Sequence, residues 1–214
     1  MTSVNPRRYD ASRRREQARL TRVAILEAAR QRFLSEGYTA TTIAAIAADA
    51  DSSPDTIYKT FGGKAGLLRA ICEDALAGDG PVSAEQRSDA MQATETDPRQ
   101  VLRGLGRLTT EVAPRIAPLL LLLSTAADSD PALADLRADL EGARLTRMTQ
   151  VAENLASRVQ LRAGRQVDGV ADILWAYSSP ELYRLLVLSR GWSPERYGQF
   201  VGESLISALL EPGD

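Results

Sequence analysis

The sequence predicts an all-α chain, with a small N-terminal helical unit followed by a larger C-terminal one. Three observations carry this. Ala and Leu dominate, and both favour helix. No alternating run of β-branched residues is long enough for a strand. Helix starts also share one grammar. Ser53-Pro54-Asp55, Asp97-Pro98, Asp130-Pro131, Ser179-Pro180-Glu181 and Ser193-Pro194-Glu195 each set a capping oxygen before a proline. At the first helical position the missing proline N–H costs nothing.

Taken in order, residues 1–17 lack periodicity and read as a flexible basic arm. The stretch up to Glu36 turns helical: Val23, Leu26, Ala29 or Arg30, and Phe33 step at three or four, and Ile25 widens the stripe. Gly37 signals the end. Thr41 or Thr42 then caps a short helix with Ile43, Ile46 and Ala47 on its apolar face. Asp51 to Ser53 make a tight connection. The next helix opens at Ser53-Pro54, is anchored by Ile57 and Phe61, and breaks at Gly62-Gly63. Lys64 begins a further helix carrying Leu67, Leu68, Ile71, Cys72 and Ala75. Residues 18–77 thus form one domain. The polar stretch 78–97 is a linker or short helix, and 98–214 is the second domain. Its helices are expected near 98–115, 117–127, 131–161, 167–178, 180–190 and 194–210.

Composition excludes several functions. Histidine is absent, which removes the commonest general base and metal ligand. One cysteine, Cys72, rules out an intramolecular disulfide and a thiolate metal cluster. Its spacing with Leu68, Ile71 and Ala75 fits a small core residue; a reactive thiol is the other reading. With no Gly-rich phosphate loop either, no catalytic residue, metal site or cofactor is expected, and an enzyme is disfavoured. The N-terminus is polar and arginine-rich, without the apolar core of a secretory signal. The apolar run 117–123 is too short for the ~20 residues of a membrane helix. A cytoplasmic protein with no membrane partner is expected. Charge is uneven: residues 1–35 hold nine Arg against Asp10, Glu16 and Glu27, on a chain whose net charge is −2. Such a front suits an anionic partner, or is simply a solvated tail.

The helix after Ser53 is unlike the others that open the same way. Leu182, Leu185, Leu186 and Leu188 follow Ser179, a helix made for burial. Asp55, Thr56, Tyr58, Lys59 and Thr60 follow Ser53, a helix with donors and acceptors outward. Two short helices across a tight turn form a helix-turn-helix, whose second helix fits a major groove. Residues 18 to 77 resemble the DNA-binding domain of the tetracycline-repressor (TetR) family of bacterial transcription regulators. The resemblance rests on "ILEAARQRFLSEGYTATTIAAIAADA" and "SPDTIYKTFGGKAGLL". A weaker likeness to the family's ligand-binding and dimerisation domain runs through "WAYSSPELYRLLVLSRGWSPERY". The resemblance implies an N-terminal three-helix helix-turn-helix DNA-binding domain and a C-terminal helical effector-binding and dimerisation domain. It also implies a homodimeric, ligand-responsive regulator, a repressor released from a palindromic operator by a small hydrophobic or amphipathic molecule. Three departures bear on the operator: Asp51 in the turn, Lys59-Thr60 in the reading helix, and Gly63 and Ala65 around the start of the next helix.

Ser53, Pro54, Asp55, Thr56, Lys59 and Thr60 are the candidates for reading bases. Lys59 can donate to guanine, Thr56 can meet a thymine methyl, and Asp55 can accept from cytosine or simply favour the helix start. Thr42 at a helix start can offer its hydroxyl to a phosphate, or cap only. Tyr58 points away from Ile57 and Phe61; by the resemblance its phenol meets a phosphate, the other reading being packing. Lys64 is a poor residue for a helix N-terminus, which favours phosphate contact. Arg13, Arg14 and Arg15 can reach the backbone, or only solubilise the arm.

A single reading head needs a second copy to specify one address. Leu182, Leu185, Leu186, Val201, Leu205 and Leu209 are candidates for that interface, with intrachain core as the other reading. The middle helices would enclose the effector, with Leu120, Leu123, Met148, Trp175 and Tyr177 lining the pocket or filling the core. A rival function is an interaction module that uses the same fold on a protein partner, in keeping with the acidic overall balance.

Overall fold

The computed structural model describes residues 6–78, 80–128, 130–158, 162 and 166–211, the side chains of 6–11 excepted. Ten α-helices are found among them: α1 Pro6–Glu36, α2 Ile43–Asp49, α3 Pro54–Phe61, α4 Lys64–Ala77, α5 Ala84–Thr94, α6 Pro98–Ala127, α7 Pro131–Ala156, α8 Val167–Tyr177, α9 Pro180–Tyr183 and α10 Pro194–Leu209. A π-helical segment, Arg184–Ser189, continues from α9. No strand occurs among the described residues, so the fold is all-α as expected. The chain separates into two compact units, residues 1–71 and 72–214, and the division falls inside α4.

In the first unit, α1 buries Ile25, Ala29 and Phe33, one apolar line at intervals of four. Val23, expected on that line, faces solvent at 53% exposure, because it sits half a turn from Ile25. Ile43, Ile46 and Ala47 of α2, Ile57 of α3, and Leu67, Leu68 and Ile71 of α4 are buried as well. Each buried Leu or Ile contributes about 1.5–3 kcal/mol. The Phe33 and Tyr38 rings lie 5.3 Å apart and close the end of α1. Arg32 ties α1 to α2 through Asp49, with Nη2 3.0 Å from Oδ1. That pairing holds the Asp49 carboxyl below its ordinary range. The stretch expected as a loose arm is helical from Pro6 onward. Its Arg, Ala, Glu and Gln residues are good helix formers, and they extend a helix already nucleated downstream.

In the second unit, α6, α8, α10 and the α9 turn surround a core that includes Leu102, Val170, Leu174, Tyr183, Tyr197, Val201, Leu205 and Leu209. Tyr183 and Tyr197 meet edge to face with centroids 5.4 Å apart, and burial pushes both phenols up. Glycine sets the closest approach. A Cβ on Gly106 of α6 would stand 2.4 Å from the Gly198 carbonyl oxygen of α10. Helix α5 docks by polar as well as apolar contacts: Ala84, Ser88 and Gln92 are buried, and Asp89 pairs with Arg147 of α7 at 2.6 Å.

Three expected boundaries differ. A break was expected between 115 and 117, yet α6 runs unbroken through Pro114 and Pro118. Each proline removes one i to i−4 bond, but Ile116, Ala117, Leu119 and Leu123 are buried around them and hold the helix together. Helix α7 stops at Ala156 rather than at 161. The expected helix 180–190 is α only in its first turn and π thereafter.

Candidate nucleic-acid interface and cavity

Helix α3 is fixed from behind and open in front. Ser53 caps it, its Oγ accepting from Thr56 N–H at 3.1 Å and lying 2.9 Å from Thr56 Oγ1. Pro54 occupies the first helical position, and Asp55 sits in the first turn where the helix dipole favours it. Gly62, left-handed at φ 76°, ends the helix. Ile57 is fully buried, and Arg22 of α1 stacks on the Phe61 ring at 4.9 Å. Ser53, Pro54, Asp55, Tyr58, Lys59 and Thr60 are exposed, with Tyr58 at 56%, and Thr56 is half-buried. The eight residues span about 12 Å, comparable with a major groove.

The turn before α3 depends on Asp51, which adopts φ 46°. Ser52 N–H closes the turn onto the Ala47 carbonyl at 2.9 Å. Gly66 permits the turn after α3. A Cβ there would lie 1.7 Å from the Phe61 carbonyl oxygen, so only glycine lets α4 start so close to the end of α3.

The structure places the phosphate candidates differently from one another. Thr42 caps α2, its hydroxyl oxygen accepting from Ala45 N–H at 3.2 Å, and stays exposed. Arg13, Arg14 and Arg15 are exposed on the first half of α1. Lys64 is turned inward. Its Nζ donates to the carbonyls of Tyr38 at 2.7 Å and Thr41 at 2.9 Å, and lies 4.4 Å from the Tyr38 ring centre. The misfit of a lysine at a helix N-terminus is thus resolved by a clamp across the α1–α2 connection, not by an outward donor. Nothing near Lys64 in sequence announces this, since its acceptors lie more than 20 residues earlier. Residues 1–71 hold twelve Lys and Arg against seven Asp and Glu, so the face around α3 is carried on a basic unit.

The second unit contains a cavity of about 370 Å³ between α6, α7, α8 and the start of α9. Leu120, Leu123 and Trp175 line it, together with Leu140, Ser124 and Arg144. Met148 and Tyr177 are instead half-buried against the core cluster. Arg144, which the sequence did not single out, stacks on Trp175 at 4.4 Å. Its Nη1 donates to the Trp175 carbonyl at 2.5 Å and to Ser178 Oγ at 3.0 Å. Burial pulls its guanidinium below the ordinary value, and the Glu181 and Glu141 carboxylates offset part of that. A more open hollow of about 460 Å³ lies beside the α6–α10 crossing, walled by the Arg103–Glu203 pair.

Of the residues expected at a dimer interface, Val201, Leu205 and Leu209 are intrachain core, at most 2% exposed. Their apolar surface is already covered within one chain and is not available to a second. Leu182 and Leu186 are half-buried against the same core, while Leu185 is 50% exposed. Leu188, not among the candidates, is exposed beside it. Among the described residues no cluster of metal-ligating side chains occurs, and no helix is long and apolar enough to cross a membrane.

Residues 25–71 match the family model for bacterial regulatory proteins of the tetR family. No curated protein sequence matches the chain. Among solved structures, the chain resembles SmeT in its triclosan complex, at 20% identity over 90% of this chain and 93% of that one, with a TM-score of 0.71. It also resembles NalD, the secondary repressor of the MexAB-OprM multidrug efflux pump in Pseudomonas aeruginosa. There the identity is 22% over 92% of this chain and all of the other, with a TM-score of 0.69. At these identities the likeness is one of fold.

Proposed function

For a chain that belongs, through residues 25–71, to the tetR family of bacterial regulatory proteins, we propose a ligand-responsive repressor that binds a palindromic DNA operator as a homodimer. The observation that carries the reading is the split character of α3. Ile57 anchors its back, and Asp55, Tyr58, Lys59 and Thr60 stand in solvent on its front. A helix so mounted on a basic unit suits a groove lined by phosphates. Base contact is assigned to Ser53, Pro54, Asp55, Thr56, Lys59 and Thr60. Phosphate contact is assigned to Thr42, Tyr58 and the Arg13–Arg15 row. Lys64 is left out, because its ammonium already serves Tyr38 and Thr41.

The effector is assigned to the α6–α9 cavity, whose volume suits a small amphipathic molecule. Its binding would favour a conformer with the wrong spacing of reading heads. Release of operator then requires several kcal/mol of preference for that conformer.

Selection of bound duplexes from a random pool, followed by salt titration on the enriched sequence, tests the reading. A palindromic sequence and a log–log salt slope near −0.9 per phosphate contacted are expected. Tyr58→Phe should weaken binding to every sequence alike. Lys59→Ala should cost about 1–3 kcal/mol at one base position and relax preference there. Lys64→Ala should lower the melting temperature instead of the salt slope. An unenriched pool at low salt would set the repressor reading aside and bring forward a protein partner for α3.

A further inference from the structure

The cavity between α6 and α9 contains hydrogen-bond donors that no described residue receives. Arg144 is half-buried and has no carboxylate at ion-pair distance among the described residues. It uses only Nη1, on the Trp175 carbonyl and Ser178 Oγ. A guanidinium carries five N–H groups in a fork, so its Nε and Nη2 donors are unmatched by any described residue. Ser124, on the α6 wall, likewise has no hydrogen-bond partner among the described residues. Its neighbour Thr125 donates back to the Leu121 carbonyl at 3.1 Å, the usual fate of a helical hydroxyl. Trp175 lines the same cavity, and its Nε1–H is buried without an acceptor.

The two serine oxygens nearest Arg144 are already engaged. Ser179 Oγ accepts from Leu182 N–H, and Ser178 Oγ accepts from Arg144 while donating to the Trp175 carbonyl. Glu141 and Glu181 line the cavity but are exposed, so water satisfies and screens them. Leaving the buried Trp175 Nε1–H unmatched is costly. The free edge of the half-buried Arg144 is offset by Glu181 and Glu141 only at a distance, and so stands open to a directly paired anion. Leu120, Leu123 and Leu140 supply an apolar wall for the rest of a guest.

We propose that this cavity binds an amphipathic monocarboxylate, its carboxylate received by the open edge of Arg144 and the Ser124 hydroxyl, and its apolar body laid on Leu120, Leu123 and Leu140. The proposal rests on the reading of this cavity as the effector site. Guanidinium and carboxylate match as two parallel N–H···O bonds, which neither an alcohol nor an ammonium head can reproduce. The stack on Trp175 keeps the guanidinium plane fixed, so little freedom is lost when the carboxylate arrives.

The test is isothermal titration of the full chain with three probes that share a tail and differ in head: decanoate, decanol and decyltrimethylammonium, each below its micellar range. Decanoate should bind about 10-fold tighter than either of the others. Arg144→Gln should remove that advantage while decanol binding is unchanged. Ser124→Ala, which costs the fold no contact, should weaken decanoate alone by about 3-fold. The Ser124 variant keeps the test decisive if the Arg144 variant unfolds. Ala176→Trp, placed on the cavity lining, should block all three probes. An ammonium probe that binds as tightly as decanoate overturns the proposal, as does decanoate binding indifferent to both Arg144→Gln and Ser124→Ala. If decanol or the ammonium binds best and Ala176→Trp blocks it, the cavity remains the effector site and only the carboxylate falls. Silence from all three probes removes both.

Discussion

At the scale of single residues, the reading head is governed by two backbone positions on either side of α3. Asp51 holds φ 46°, a conformation that costs an L-residue about 1–2 kcal/mol and glycine almost nothing. Asp51→Gly should therefore stabilise the chain by about 1 kcal/mol in urea unfolding. A variant no more stable than the parent would mean that the Asp51 side chain offsets its own strain. Gly66→Ala should act the other way, by about 1–3 kcal/mol, since its Cβ would penetrate the Phe61 carbonyl. The two glycine-related effects were not equally legible. Asp51 in a tight turn is visible as an oddity in the sequence. Gly66 reads only as a weak helix former, because the atom that forbids a side chain there belongs to a different helix. Lys64 shows the same limit: the sequence exposes its awkward place at a helix start, but not the carbonyls 23 and 26 residues away that resolve it.

At the scale of elements, periodicity and capping were enough to place nearly every helix. The buried faces of α2 and α4 follow the apolar spacing directly. Failures occurred where local rules were outweighed by packing. A break reads between 115 and 117, yet α6 continues there and through Pro114 and Pro118 because the turns around them are buried. Val201, Leu205 and Leu209 have the look of an interface, but a stripe that fits a partner also fits the core, and α6 reached it first. What made that possible is a run of small residues whose role appears only in three dimensions. Gly106→Ala should destabilise the second unit by about 1–3 kcal/mol, its Cβ standing 2.4 Å from the Gly198 carbonyl oxygen. Gly142→Ala, in mid-α7 with nothing within 4 Å, should stabilise by about 1 kcal/mol. Thermal unfolding of the two variants checks the contrast. Equal shifts of the same sign would mean that Gly106 does not set the α6–α10 approach.

At the scale of the whole molecule, the proposed function needs two copies. With half of the expected interface residues spent on the core, the most exposed apolar residues left there are Leu185 and Leu188, both half-exposed or more. Replacing both with Glu should convert a dimer to a monomer in light scattering and weaken operator binding, while the helical circular dichroism is retained. A doubly substituted chain that still sediments as a dimer would move the interface elsewhere. The outward-facing α3 on which the proposed DNA reading rests was legible because its chemistry is local: a cap, a proline, an anchor and an outward polar face lie within nine residues, 53–61. The cavity was less so. Arg144 and Trp175 are 31 residues apart, and neither one alone predicts the other.

Leu185 and Leu188 sit on the π-helical segment Arg184–Ser189, and a π turn stores one residue more than the α turn it replaces. Chain length is therefore negotiable at this place, as it is not inside α6 or α10. Losing one residue between 184 and 189 would tighten the segment to α geometry and swing the two leucines to another meridian, about 100° around. A gap of one in a relative's sequence here would then mark a re-aimed surface, not a damaged fold.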